Sequence, residues 1–170
     1  NATTRPMEVK RKVGYLPEDV GFYENMTGIE NLCYTAELNR IPPSEAKEKA
    51  LALFNRVGLS EHIKKKTGKY SKGMRQRLGL ADVLIKNPEV IILDEPTSGI
   101  DPAGVQEFMD LIHRLSVENG LTVLFSSHHL HQVQQICNRV GLFNKGKLLA
   151  DLEMTEELRK EHVLNDIYNK

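Results

Sequence analysis

An α/β fold built on a parallel sheet is predicted, and three observations predict it. From residue 87 onward, short apolar strands alternate with helical patterns. One of those strands, Val90-Ile91-Ile92-Leu93, ends abruptly in two adjacent acids, Asp94 and Glu95. The carboxyl end of a strand is where sites lie in such sheets. Ahead of it, residues 20–86 carry apolar stripes at helical spacing.

The elements follow in order. Residues 1–12 are polar, with a basic cluster at Lys10, Arg11 and Lys12, and no element is predicted there. Val13–Leu16 reads as a short strand stopped by Pro17, which has no N–H for a ladder. Thr27, with Glu30 three residues on, is a capping box opening a helix whose stripe is Ile29, Leu32, Cys33 and Ala36. Pro42-Pro43-Ser44 stops that helix and starts another, with Ala46, Ala50, Leu53, Phe54 and Val57 inward and Gly58 at its end. Lys64-Lys65-Lys66 is a charged connector, and a helix is expected from Ser71 to Lys86. After the strand 90–94, Asp101-Pro102 is an N-cap followed by proline at the first helical position. That helix runs on through Val105, Phe108, Met109, Ile112 and Leu115 to Gly120. Leu121–Ser126 is a further apolar strand, followed by a short helix over 130–137. Residues 140–143 and 147–151 read as a hairpin around Asn144-Lys145-Gly146. Thr155 caps a last helix carrying Leu158, Val163, Leu164 and Ile167.

Composition narrows the class. Lys plus Arg equals Asp plus Glu at 23 each, so no whole-chain field favours DNA or an acidic membrane surface. No apolar run approaches the roughly 18 residues of a membrane span. Cys33 and Cys137 lie far apart with no CxxC, and read as reduced thiols of a cytosolic protein. Three histidines, His128, His129 and His131, raise the question of zinc; on a helix His128 and His131 would share a face. Zinc needs three or four ligands on a defined scaffold, and none is recognisable.

The acids carry the chemistry. Adjacent residues on an extended chain point in different directions, so one acid can face a metal and the other a reacting water. An apolar strand, then Asp for Mg²⁺, then Glu as general base suits hydrolysis of a nucleoside triphosphate. Read alone, Asp94-Glu95-Pro96 fits equally a strand exit with solvated acids. Ser71 at the start of a helix has a similar pair of readings. A helix N-terminus offers free N–H groups and positive dipole to a phosphate, and Gly73 lets the backbone come close. An ordinary N-cap needs the same serine.

The surroundings decide between these readings. "LDEPTSGIDP" resembles the Walker B motif and D-loop of ATP-binding cassette (ABC) ATPases. "YSKGMRQRLGLADVLIKNP" before it is similar to the ABC signature and its helix, "VLFSSHHLHQV" after it to the switch-histidine strand, and "VGYLPED" to the Q-loop. The four stand in the family's order over residues 13–150. The resemblance implies a P-loop NTPase (RecA-like) parallel sheet, incomplete in this chain, with an inserted ABC helical subdomain. Residues 1–19 would be the Q-loop segment of the core, 20–86 the helical subdomain, 87–151 a further part of the core and 152–170 a C-terminal helix.

Carried over by the resemblance, Asp94 would coordinate Mg²⁺, Glu95 would polarise the attacking water, and His128 would contact the γ-phosphate. Asp101 would lie in the D-loop and communicate across a dimer. Ser71-Lys72-Gly73-Met74 would meet the γ-phosphate of ATP held by the opposite subunit. Two departures stand out. The usual signature is Leu-Ser-Gly-Gly-Gln; here Lys72 replaces a glycine and Met74 the glutamine. Glu18 replaces the Q-loop glutamine, where it would meet Mg²⁺ or a water while adding negative charge beside phosphates. These variants are similar to those of drug, sodium and antibiotic exporters.

The family's phosphate loop, G-x-x-x-x-G-K-[ST], is not found. "GLFNKGKL" from Gly141 matches through Lys147 but fails at Leu148, and it falls inside the expected hairpin. The resemblance therefore implies that the loop lies upstream of residue 1, so that this chain is the C-terminal part of a nucleotide-binding domain. In this class the P-loop strand runs beside the switch-histidine strand, so strand 121–126 is expected to expose an apolar edge through which the isolated chain self-associates.

The expected function is thus that of an ATP-binding and ATP-hydrolysing transporter subunit, with ATP and Mg²⁺ as cofactors. The isolated chain is expected neither to bind ATP tightly nor to hydrolyse it. Expected partners are a transmembrane permease and a second nucleotide-binding domain, identical or different, with no nucleic acid. The expected location is cytoplasmic, at the inner face of the cell membrane. Two alternatives are a non-transport ABC ATPase acting on ribosomes or DNA, and a non-catalytic interaction module. DNA-repair relatives insert a long coiled coil where this chain has short helices broken at Pro42-Pro43.

Overall fold

The computed structural model describes residues 3–160, without the side chain of Lys160. Val163, Leu164 and Ile167 of the expected last helix lie outside the described residues. The chain divides into two compact units, one ending at Ser126 and one beginning at Ser127.

The first unit holds a three-stranded parallel sheet and a layer of helices. Strand β1 (Val13–Leu16) pairs with β2 (Val90–Asp94), and β2 with β3 (Thr122–Ser126). Ahead of β1 stands a helix, α1 (Pro6–Lys12), where none is predicted. It buries no residue, so no apolar stripe announces it. Glu8 in its first turn and Lys10, Arg11 and Lys12 in its last match the helix dipole at both ends.

The helical layer comprises α2 (Gly28–Leu38), α3 (Pro43–Arg56) and α4 (Lys72–Leu84). The capping box forms as expected: Glu30 N donates to Thr27 Oγ1, and Thr27 N donates back to Glu30 Oε2 at 2.6 Å. Ala36 of α2, Ala46 of α3 and Ile85 after α4 share one buried cluster with Ile41 and Leu53. The charged connector 64–66 lies between two single 3₁₀ turns, Ser60–His62 and Thr67–Lys69. Two buried polar residues of this layer, Asn31 and Thr67, fix the loop entering it. Asn31 Nδ2 donates to the carbonyls of Tyr23 and Thr27, and Thr67 Oγ1 to that of Tyr23.

Sheet and helices meet at glycines. A methyl group on Gly14 of β1 would lie 2.3 Å from Val83 Cγ1 of α4, and one on Gly79 of α4 would lie 2.5 Å from Leu16 Cδ1 of β1. Each element thus presents a glycine to the other's branched side chain. The opposite end of the sheet packs on α5 (Pro102–Asn119), whose buried face is Phe108, Met109, Leu111, Ile112 and Leu115. Asp101 caps it through Gly104 N, and Gly120 ends it in the left-handed conformation.

The second unit holds α6 (Leu130–Ile136), the antiparallel strands β4 (Arg139–Asn144) and β5 (Lys147–Glu153), and α7 (Glu156–Lys160). The hairpin turn, Lys145-Gly146, has φ of 48° and 76°. Positive φ at both central residues matches the right-handed strand twist. Arg159 of α7 donates to the carbonyls of Gln134, Gln135 and Cys137, occupying acceptors that the end of α6 leaves unpaired.

Candidate functional site

The site is built at the carboxyl end of β2. Residues 90, 92 and 94 share one sheet face, in register with Thr122, Leu124 and Ser126 of β3. Tyr15 of β1 faces Ile92 in the same row. Asp94 therefore reaches hydroxyls from both flanking strands. Ser126 Oγ donates to Asp94 Oδ1 at 2.6 Å, and Tyr15 OH donates to Asp94 Oδ2 at 3.2 Å. The Tyr15 pKa is raised, first by desolvation of its hydroxyl and then by the Asp94 charge. The phenol thus stays protonated and able to donate.

Glu95 departs from the sequence expectation. The strand stops at Asp94, and Glu95 has φ 43°, in the left-handed region. The step from one acid to the next is therefore a turn of the backbone and not a continuation of the strand. Such a conformation is uncommon for a residue with a side chain. It is held by the Glu95 N–H, which donates to Ser126 Oγ at 3.1 Å.

Glu18 sits after β1, among three donors. Ser98 Oγ donates to its carboxylate at 2.8 Å. Its carbonyl accepts from Gln76 Nε2 at 2.9 Å and from Lys72 Nζ at 3.1 Å. Lys72 also pairs with Asp19 at 2.7 Å, which holds the Asp19 carboxyl below the usual range. No hydrogen bond among those described joins Glu18 to Asp94. Ser71 is the N-cap of α4, its hydroxyl accepting from Met74 N at 3.3 Å. Met74 Sδ in turn lies 3.8 Å from Lys65 Nζ. A methyl group on Gly73 would have only Ile100 Cγ2 near it, at 3.6 Å. Asp101 is engaged as the cap of α5.

In the second unit, His128 precedes α6 and His129 is its N-cap residue. Only His131 lies within the helix, so the condition under which His128 and His131 would share a helix face is not met. The His128 and His129 rings stand 4.0 Å apart. "GLFNKGKL" is hairpin: Gly141 in β4, Gly146 in the turn, Lys147 and Leu148 in β5. It supplies no helix N-terminus for a phosphate.

Sequence reasoning passed over four residues that organise the site: Tyr15, Gln76, Ser98 and Ser126. Ser126 carried a legible signal, a hydroxyl ending an apolar strand beside the one that ends in acids. Gln76 carried none, because its burial and its reach to Glu18 follow from the packing of α4 on β1.

These features are those of a nucleotide-binding domain. The chain belongs to the ABC transporter family: the family model described as ABC transporter matches residues 2–98. It is 41% identical over 155 residues to the bacitracin transport ATP-binding protein BcrA of Bacillus licheniformis, covering 91% of this chain and 49% of that protein. It is 34% identical over 143 residues to the linearmycin resistance ATP-binding protein LnrL of Bacillus subtilis, covering 84% and 46%. The chain spans about half the length of the curated relatives it matches. Among solved structures, cbiO1 from Clostridium perfringens, part of the ABC transporter complex cbiONQ, superposes with a TM-score of 0.82 at 25% identity, covering 96% of this chain and 66% of that one. The fold is therefore the P-loop NTPase fold of ABC ATPase domains, with a helical layer beside its parallel sheet.

The donor chemistry fits Mg²⁺ in company with a nucleotide. Mg²⁺ takes one or two carboxylates plus substrate phosphates in preference to a closed protein cage. Asp94 offers such a carboxylate. Among the described residues no group of three or more His, Cys, Asp or Glu is placed to hold a metal ion.

Proposed function

We propose that this chain supplies the hydrolytic half of the ATP site of an ABC transporter's ATP-binding subunit. The observation that carries the reading is the pair of acids at the end of β2, with Asp94 held by Ser126 and Tyr15 and Glu95 following it in a left-handed backbone conformation. Asp94 takes the Mg²⁺ side, and Glu95 accepts a proton from the attacking water. Glu18 holds a further water or metal contact. His128 meets the γ-phosphate. Mg-ATP, when bound, supplies the electrophilic phosphoryl group. Ser71, Lys72, Gly73 and Met74 open α4, and we assign them to the nucleotide of a second nucleotide-binding domain, with Asp101 beside that dimer contact. The loop that cradles the phosphates is not among the motifs of this chain.

Residues 20–86 form the surface for a transmembrane permease in this reading. Tyr23 and Tyr34 stand edge to face at 5.2 Å, and with Leu38 they are exposed on the helical layer. Aromatic and aliphatic side chains of this kind are what protein interfaces use as anchors. No helix among the described residues is long and apolar enough to cross a membrane, and in this reading the permease brings the subunit to the inner face of the membrane. The names of the two relatives favour antibiotics as the class of cargo. Strand β3 has β2 as its one neighbour among the described residues. Its other edge is offered to a further strand, and in the isolated chain to a second copy; a monodisperse monomer by sedimentation overturns that part.

The deciding experiment measures Mg²⁺-dependent ATP hydrolysis by the full-length protein carrying these residues. Glu95→Gln is expected to lower kcat about 10²–10⁴-fold, as loss of a general base does, with ATP binding retained. Absence of hydrolysis in the unsubstituted protein, or full activity in Glu95→Gln, overturns the reading.

A further inference from the structure

We infer that Ser126 is a positioning residue for both acids at once, an assignment that rests on the function proposed above. A hydroxyl has one hydrogen to donate and lone pairs to accept with. Ser126 uses both on consecutive residues. Its hydrogen goes to Asp94 Oδ1 at 2.6 Å, and its oxygen accepts the N–H of Glu95 at 3.1 Å.

The parallel register makes this possible. Asp94 lies directly opposite Ser126, so the serine stands at the point where β2 ends and the chain turns. The left-handed φ of Glu95 is where an ordinary residue is strained. A hydrogen bond from that residue's own N–H opposes relaxation into a plain strand exit. One oxygen atom thereby sets the orientation of the metal-side carboxylate and the turn that carries the base. Tyr15 completes the hold on Asp94 from the other strand, but at 3.2 Å and with no contact to Glu95 among those described. Ser126 is therefore the residue through which the two acids are geometrically linked.

Ser126→Val and Ser126→Thr separate the hydroxyl from its shape, because the two replacements have the same outline and only threonine has the oxygen. In the full-length protein, Ser126→Val is expected to raise the Mg²⁺ concentration for half-maximal ATP hydrolysis about 10–100-fold, the scale of losing a hydrogen-bond partner of a metal ligand. Ser126→Thr is expected to restore it. Amide hydrogen exchange gives a readout besides activity: the Glu95 N–H is expected to exchange faster in Ser126→Val than in Ser126→Thr. A folded Ser126→Val protein with unchanged Mg²⁺ dependence overturns the inference, and so does a Glu95 N–H that exchanges no faster in Ser126→Val than in Ser126→Thr. So does failure of threonine to rescue. If the unsubstituted protein hydrolyses no ATP, or Glu95→Gln leaves hydrolysis intact, the proposed function itself has failed. If Glu95→Gln is inactive while Ser126→Val behaves like the parent, only the role of Ser126 has failed.

Discussion

The ammonium of Lys72 donates to the carbonyl oxygen of Glu18 at 3.1 Å, across 54 residues of sequence. It joins the first residue of α4 to the segment that follows β1. The usual signature has glycine at this position and can make no such link. Gln76, one turn further along α4, donates to the same carbonyl. The backbone of Glu18 is thus held from one helix while its carboxylate is held by Ser98 from the turn after β2.

Removing the lysine should loosen that segment without unfolding the protein. The Lys72–Asp19 pair is open to solvent, with Asp19 at 94% side-chain exposure, and exposed ion pairs contribute little to global stability. Lys72→Ala is expected to leave the denaturation midpoint unchanged within error. Amide exchange at residues 18–20 is expected to rise, by mass-resolved hydrogen exchange. The pair also has a pH signature. Its partner lowers the Asp19 pKa, so the link is present above the unfolded value of 3.8 and is lost as pH falls through the lower folded value.

The glycine joint between β1 and α4 should be intolerant of a single methyl group. At Gly14 that methyl would lie 2.3 Å from Val83 Cγ1 and 3.4 Å from the Val83 carbonyl. Val83 is β-branched and held at χ1 in a helix, so it cannot swing aside cheaply. Gly14→Ala is expected to cost about 1–3 kcal/mol in urea denaturation, the scale of overpacking. Gly21→Ala is the control, since a methyl group there has nothing within 4 Å.

Asp82 should make the fold more stable at lower pH over a limited window. Burial raises its pKa above 3.8, and a hydrogen bond with Thr35 and the charge of Lys86 only partly oppose this. Its Oδ1 is buried with no hydrogen-bond partner. A raised folded pKa means that the native state binds more protons than the unfolded one between 3.8 and the folded value. Stability from this group therefore falls as pH rises through that window. Asp82→Asn should flatten the dependence. Urea melts at a series of pH values should give parallel curves below pH 3.8 and diverging ones above it.

The candidate site was legible in part. Asp94 and Glu95 announce themselves as acids ending an apolar run, and Asp101-Pro102 as a helix start. Both signals are local, resting on neighbours within a few residues. The hydroxyls that grip Asp94 are not: Tyr15 lies 79 residues away and Ser126 lies 32. Helix α1 escaped for the opposite reason, since its signals are charges at its ends and nothing apolar along its length.

By itself the sequence determined the order of strands and helices after residue 12, the caps at Thr27, Ser71 and Asp101, and the strand that would carry the acids. Periodicity and capping are written within one turn or one strand, so they survive without a partner. Only the tertiary structure decided that Glu95 leaves the strand in a left-handed turn, that Gly14 and Gly79 let β1 lie against α4, and that Ser126 faces Asp94. Those facts depend on register between parallel strands joined by long crossovers. A shift of one residue would turn Ser126 to the other face of the sheet, and no local pattern encodes which register the packed helices select.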